Sequence, residues 1–518
     1  MPGRGRDLAL VALFALACAL PFLGAAFSMD DAYFLAIARR ILASPFDPLG
    51  FDYNWLGTLQ PVSELNLYPP AVSYLIAPAA GSEWATRALL LPFDLAAAGG
   101  LYLLAARFLK RPLLPVLLVL AGPGYLLSMS HPLSEKLIAG FGFPGLWLAV
   151  KAADEDRPGL LALSGLFLGA AMFCKPSALF LLAPAAARLL SRRVPWRRAA
   201  AWAALCVAPA ALLFLMNSGM AANFAELVLQ TGSYHPRAVW SKQLRSVLCF
   251  AGGCGGAATF LLPQLALRRR SLLALSAAAA LALVLPWLDT EPVGAADRAA
   301  GWLFAWGALA SLAGSGAFWL SWSAAVALLQ GFVYWSVVAR FMSFMAPPMV
   351  FAAAAALEAR LEERPLRRLY GGALALTLAL SFSLAAVDAR SAGAARELAS
   401  EVRSEYVEKG RRVWFAGHWG LQHYLELAGA RALDRSRGGW DEVRPGDVVV
   451  APYLNGDMAK PSKSVLADVR SIRVTHPLPL RLMSGWTGQA GFYSNLWGFL
   501  PYALSTEPVE EYTIVEVR

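Results

Sequence analysis

Apolar runs follow one another through the first three quarters of the chain. Residues 8–27 carry no charge, and comparable stretches recur at 88–106, 113–129, 137–150, 159–173, 176–190, 199–216, 246–267, 271–288, 300–316, 317–338, 341–357 and 369–387. Most approach the roughly 20 residues that a helix needs to cross about 30 Å of hydrocarbon. In that layer each backbone amide must find its partner inside its own segment, which makes the runs helices. They predict a polytopic α-helical membrane protein with about 13 transmembrane helices. Composition agrees: 58% of residues are hydrophobic and 15% charged, where a soluble domain carries about 25% charged residues. Disordered, collagenous and coiled-coil chains are excluded on the same grounds.

Charges at the ends of the runs set an expected topology. Arg4 and Arg6 precede the first run, and no clear small-x-small cleavage site stands before Asp30 and Asp31. The run therefore reads as a retained helix rather than a signal peptide. A run at 69–80 is too short to span and is placed at the outer interface, or re-entrant from it. Basic groups such as Arg107, Lys110 and Arg111, or Arg268, Arg269 and Arg270, then fall inside, as the positive-inside rule requires. The N-terminus is expected in the cytoplasm and the C-terminus outside a plasma (inner) membrane. The net charge of +10 points to anionic membrane lipid as a partner, not to nucleic acid. Cys18, Cys174, Cys206, Cys249 and Cys254 form no C-x-x-C pair, so neither a disulfide framework nor a zinc site is suggested.

From about residue 391 charge rises and the apolar runs shorten. Residues 411–417 and 446–453 read as buried strands, 419–427 as a helix between them, and 511–518 as an alternating strand. The chain divides into a transmembrane unit, 1–390, and a soluble C-terminal α/β domain, 391–518.

The expected first outer loop, 28–87, is long enough to suggest a function of its own. It opens on Asp30 and Asp31 directly after the first helix. Two carboxylates at a membrane surface cost desolvation energy unless they have a partner or a task. They either favour the N-terminus of the next helix or act in catalysis. Tyr33, Asp47, Asp52, Trp55, Glu64 and Tyr68 follow, then Pro69-Pro70; aromatics beside acids suit sugar binding and equally an aromatic belt. His131, Glu135 and Lys136 gather at the outer end of a later helix, as a site or as an ordinary cap with a charge pair. Lys175 interrupts an apolar stretch and Arg340 sits at a helix end. Cations at membrane depth mark an anionic ligand, such as a polyprenyl phosphate, or snorkel to headgroups. His418 and His423 do not share a helix face, which argues against a metal pair.

Asp30-Asp31-Ala32-Tyr33-Phe34-Leu35-Ala36-Ile37-Ala38-Arg39 after a retained helix, with Pro69-Pro70 later in the loop, resembles the large-loop membrane glycosyltransferases of GT-C fold. Among these it looks most like the bacterial group related to aminoarabinose transferases and protein O-mannosyltransferases. The resemblance implies a GT-C-like bundle and a polyprenyl-phosphate-linked sugar donor. It also implies transfer with inversion on the outer face, to a lipid, glycan or protein acceptor. Asp30, the first acid, falls on the general base, with Asp31 beside it. Tyr33, Glu64, Tyr68, His131, Glu135, Lys175 and Arg340 are the candidate substrate contacts. Relatives carry an Asp where this chain offers Glu135 or Lys136, and the aminoarabinose transferases carry a Lys where Tyr68 stands. The phosphate contact then passes to Lys175, Arg340 or Arg87. Relatives differ in whether a divalent cation, Mg or Mn, assists, and no ligand cluster is evident here. A transporter or flippase of a lipid-linked sugar would be expected to show a repeat and a charged pair within the bundle; neither is evident in the sequence. A non-catalytic envelope scaffold would tolerate loss of Asp30.

Overall fold

The fold comes from a computed structural model, which describes residues 4–55, 57–65, 69–216, 237–284, 293–334, 336–455, 466–486 and 488–517. Among the described residues, six helices are long and apolar enough to cross a membrane: Arg4–Phe22, Glu83–Ala105, Ser134–Glu155, Trp196–Leu215, Ala339–Glu358 and Glu363–Val407. Lys242–Cys254 and Ala257–Ala266 form a further pair, bent by 89°. Pro158–Cys174, Pro176–Ser191, Arg270–Leu281 and Ala317–Val333 are apolar but shorter. The described residues thus place helix in every expected run, while the number that meet the length of a span is six or seven.

Local chemistry explains the shorter pieces. Gly122 and Pro123 divide 113–129 into Leu113–Ala121 and Pro123–Met129, with Gly122 extended at ψ 140°, the backbone that a following proline favours. Lys175 is likewise extended ahead of Pro176. The sharp bend after Cys254 needs Gly256 at φ +63°, where an added Cβ would also press on Thr377 and Pro123.

One helix does more than span. Glu363–Val402 is 40 residues long, about 60 Å at 1.5 Å per residue and twice the hydrocarbon thickness. Its far end, through Ala392, Ala395, Leu398 and Val402, packs into a second hydrophobic core with Tyr33, Leu35 and Ile37 of the first loop and Phe415, Leu425 and Val450 of the C-terminal domain. It ties the bundle to that domain.

The C-terminal domain carries a mixed five-stranded sheet. Its order is Arg431–Ala432, Val413–Phe415, Val448–Pro452, Glu510–Val517 and Leu466–Val474. The first three strands run parallel and the last two pairings are antiparallel. Val448, Val449 and Val450 are fully buried, as expected of a strand covered on both faces. The expected helix is present at Trp419–Ala428. The sequence reading had no strand at Leu466–Val474; this edge strand exposes Arg470 and Arg473 to pair with Glu401, Glu405 and Glu511, so it lacks an apolar run.

Residues 480–504 leave the sheet and return to the bundle. Phe492, Phe499, Leu500 and Tyr502 belong to the same core as the transmembrane helices. The Tyr502 hydroxyl donates to the Gly253 carbonyl at 3.0 Å, and Asn495 donates to Gln243 at 2.8 Å. This return places Tyr493 beside the first loop.

Candidate active site

The first helix ends in a short 3-10 turn, Leu20–Phe22, and the chain reverses at Met29, which is held at φ +46°. A side-chain-bearing residue in the left-handed region is strained, and such strain is concentrated at functional sites. Asp30 follows as the N-cap of the helix Asp31–Ala43. The two adjacent acids are separated by the helix geometry: the Asp30 side chain is 25% exposed and that of Asp31 is 0% exposed.

Asp30 ends a chain of four alternating charges. Lys175 Nζ donates to Glu135 Oε1 at 2.7 Å. The Arg340 Nε lies 3.6 Å from the same oxygen, and Arg340 Nη1 donates to Asp30 Oδ2 at 2.5 Å. Each member comes from a helix end. Lys175 is the C-cap of Pro158–Cys174, Glu135 lies in the first turn of Ser134–Glu155, and Arg340 lies in the single turn Ala339–Met342. Lys175 also sits over the Phe341 ring, 5.1 Å from its centroid. Glu135 and Lys175 are buried and Arg340 less so. Asp30 is the open end of the chain.

Asp31 belongs to a different network, directed inward. Its Oδ2 accepts from the Ser28 amide at 2.9 Å and lies 3.8 Å from Arg87 Nη2 and 3.5 Å from His131 Nδ1. His131 Nε2 lies 3.0 Å from Asp388 Oδ2, and the Tyr493 hydroxyl donates to Asp388 Oδ1 at 2.7 Å. Arg87 also donates to the carbonyls of Ala26 and Ser130, tying the segment before Met29 to the one before His131. Burial alone would lower the pKa of His131, but Asp31 and Asp388 raise it to about 9, so the imidazolium form persists at neutral pH.

Of the residues singled out in the sequence, Asp30, Asp31, His131, Glu135, Lys175 and Arg340 thus converge from separate elements. Tyr33, one helical turn on, joins an aromatic cluster with Tyr53 and Trp55, with ring centroids 6.0 and 5.5 Å away. Glu64 is exposed on the short helix Val62–Leu65. Tyr68 lies outside the described residues. Between Glu135 and Lys136 the structure distinguishes clearly: Lys136 turns away and pairs with Asp94 at 2.6 Å in the bundle interior. The sequence had offered no charged pair there; Lys136–Asp94 and Lys175–Glu135 are two, each joining residues from different helices. Asp388 and Tyr493 were missed altogether. His418 and His423 have separate partners: His423 meets Arg39 at 3.1 Å, and His418 packs on Trp55. Among the described residues no group of three or more His, Cys, Asp or Glu is placed to hold a metal ion.

No family model matches the chain, and no curated protein does. Among solved structures it is similar to ArnT from Cupriavidus metallidurans bound to undecaprenyl phosphate. The identity there is 13% and the TM-score 0.46, over 86% of this chain and 92% of that one. It is also similar to the same protein in the apo state, at 14% identity and a TM-score of 0.37 over the same shares. Likeness of this degree carries no activity from one chain to the other, and the functional reading rests on the residues of the site.

Proposed function

We propose that this protein is an integral membrane glycosyltransferase. It moves a sugar from a polyprenyl-phosphate-linked donor to an acceptor hydroxyl at the outer face of the membrane, with inversion. Residues 1–390 form the transferase unit and 391–518 the outer domain. The observation that carries the reading is the chain Lys175–Glu135–Arg340–Asp30, in which one accessible carboxylate is held by a cation at the end of apolar helices.

The chemistry follows from that arrangement. A lipid phosphate arriving at the helix ends competes with Asp30 for the Arg340 guanidinium, which binds phosphate and carboxylate through the same donors. Release of Arg340 frees the Asp30 carboxylate to face the acceptor hydroxyl. Asp30 takes the hydroxyl proton as the oxygen attacks the anomeric carbon. The bond to phosphate oxygen breaks, and the phosphate leaves as an anion beside Arg340 and Lys175. One displacement inverts the anomeric carbon. The buried Asp31 serves to fix the turn that presents Asp30.

The test is transfer from a panel of radiolabelled polyprenyl-phosphate sugars, in membranes carrying wild type or Asp30→Asn at matched abundance. Transfer by wild type alone supports the reading and identifies the donor. Equal transfer by both variants removes Asp30 from the role of base. Absence of transfer from every donor, with protein correctly inserted, counts against a transferase.

A further inference from the structure

A cavity of about 60 Å³ lies between the bundle and the outer domain. It is lined by Ser28 and Met29, the two residues before Asp30, by Asp388 and Tyr493 of the Asp31 network, and by Trp419, Asn455 and Glu510 of the C-terminal region. Met29 and Trp419 both carry positive φ, +46° and +66°, so strained backbone borders it in two places.

Its polar atoms are unusual in being unused. The Ser28 hydroxyl and the Asn455 side-chain oxygen are buried and have no hydrogen-bond partner among the described residues. A buried polar atom left without a partner is destabilising, and a bound hydroxyl would relieve that. Glu510 adds a group of either sense. Burial raises its pKa to about 7, while the amides of Tyr453, Leu454 and Glu511 all donate to Oε1 and Oε2 takes no part in those bonds. The guanidinium of Arg481, also on the wall, donates to the carbonyls of Leu478, Leu480 and Glu507.

The lining therefore offers hydroxyl-sized hydrogen-bonding positions among Phe27, Leu482 and Met483, with its arginine engaged by backbone. That suits a neutral polyhydroxyl group and not a phosphate. Room for roughly four to six waters, at about 10–15 Å³ of probe space each, is the room of one sugar ring. We propose that this cavity is the acceptor subsite and that the acceptor is a saccharide, one ring of which sits between Ser28 and Asn455 with a hydroxyl directed past Met29 to Asp30. The assignment rests on the transferase reading above. It divides the labour of the site: Arg340 and Lys175 take the donor phosphate, and the domain interface takes the acceptor.

The experiment is saturation-transfer NMR on the purified full-length protein in detergent, with methyl glycosides of the common hexoses as probes and inorganic phosphate as the comparison. Two variants report on the cavity: Ser28→Ala, which removes a hydroxyl, and Ser391→Leu, which fills space on the wall formed by the long helix. Thermal melts establish that both are folded. The expected result is that at least one glycoside binds wild type, that each variant weakens it by about tenfold, and that Arg367→Gln, at an exposed residue outside the lining, leaves it unchanged. Absence of binding by any glycoside, binding indifferent to both variants, or phosphate binding that depends on Ser28 would overturn the assignment. Because no donor is needed, the outcome is independent of the transfer assay. Glycoside binding without transfer leaves a saccharide site but removes the transferase reading and, with it, the acceptor role; transfer without glycoside binding removes the acceptor subsite alone.

Discussion

The Asp30 carboxylate lies 2.5 Å from the Arg340 guanidinium across 310 residues of sequence, while its neighbour Asp31 is fully buried against Arg87 and His131. Adjacent, chemically identical groups thus have opposite tasks. Asp30→Asn is expected to insert and fold normally and to lose transfer by about 10²–10⁴-fold, the span of a general base. Asp31→Asn leaves Arg87 and His131 facing an uncharged amide inside the protein. It is expected to cost on the order of 3–5 kcal/mol of stability, as breaking one side of a buried ion pair does. Melting temperature in detergent together with transfer rate separates the two; equal melting temperatures for both variants would contradict the division.

The phosphate-binding role proposed for Arg340 predicts a particular kinetic signature. Arg340→Gln removes a charged donor worth about 1.5–3 kcal/mol and should raise the donor KM by about 10–100-fold, with the acceptor KM little changed. Glu135→Gln acts differently. It leaves Lys175 buried without its carboxylate at 2.7 Å, and should lower stability more than it changes donor affinity. Steady-state kinetics with each substrate varied in turn, beside thermal melts, distinguishes these outcomes.

Much of this was legible in the sequence, and the reasons are local. The apolar runs marked the helices, and Asp30, Asp31, Glu135, Lys175 and Arg340 stood out because charge at membrane depth is costly. Two kinds of information were not local. Asp388 sits just past the end of an apolar run and Tyr493 in an irregular segment, so nothing in their neighbourhoods links them to His131, 257 and 362 residues away. Nor does sequence spacing say which of two adjacent carboxylates turns inward; that depends on Arg87, whose guanidinium is fixed by the Ala26 and Ser130 carbonyls. The helix length was also hidden. Val387 looked like the end of a span, yet the long helix runs on to Val402 because its later residues find a second core.

His131 sets a pH dependence. Its pKa is raised from 6.5 to about 9 by the carboxylates that face it, against the effect of burial. The charged groups around it are Asp31, Asp388 and, through Asp31, Arg87, with the Tyr493 hydroxyl at 3.0 Å. A folded-state pKa above the unfolded one contributes stability that is complete below pH 6.5 and is lost as pH rises through about 9, since the unfolded chain then holds fewer protons. The melting temperature should therefore fall between those values, and His131→Gln should flatten that fall. A melting profile that rises across the same window would refute the assignment.

Lys136 and Asp94 are bound at 2.6 Å in the interior of the bundle, away from Asp30. Either single change, Lys136→Met or Asp94→Leu, leaves a lone buried charge and should cost on the order of 3–5 kcal/mol. The double change replaces the pair with apolar side chains and should recover most of the loss, as buried pairs often break even against hydrophobic ones. A double-mutant cycle on thermal melts measures the coupling. Transfer by the double variant close to wild type would place this pair outside the chemistry.

The C-terminal region reaches the turn at Met29 through backbone contact, and this gives the last prediction. Gly420, in the first turn of Trp419–Ala428, has no Cβ where one would come within 2.1 Å of the Phe27 carbonyl oxygen and 3.0 Å of Ser28 Cα. The same helix holds the turn from the side: the Tyr424 hydroxyl accepts from the Phe27 amide at 2.7 Å and donates to Glu83. Backbone atoms cannot step aside as a flexible side chain does, so Gly420→Ala must push the helix and the turn apart. Met29 and Asp30 follow immediately, and a displacement on the order of 1 Å in a reacting group can cost about 10²-fold in rate. The expected outcome is a folded, inserted protein with kcat reduced about 10–100-fold and donor KM close to wild type, because Arg340 and Lys175 belong to other elements. Tyr424→Phe keeps the ring, loses both hydrogen bonds, and should fall between Gly420→Ala and wild type. Unchanged kcat in Gly420→Ala would mean that the outer domain does not position the base.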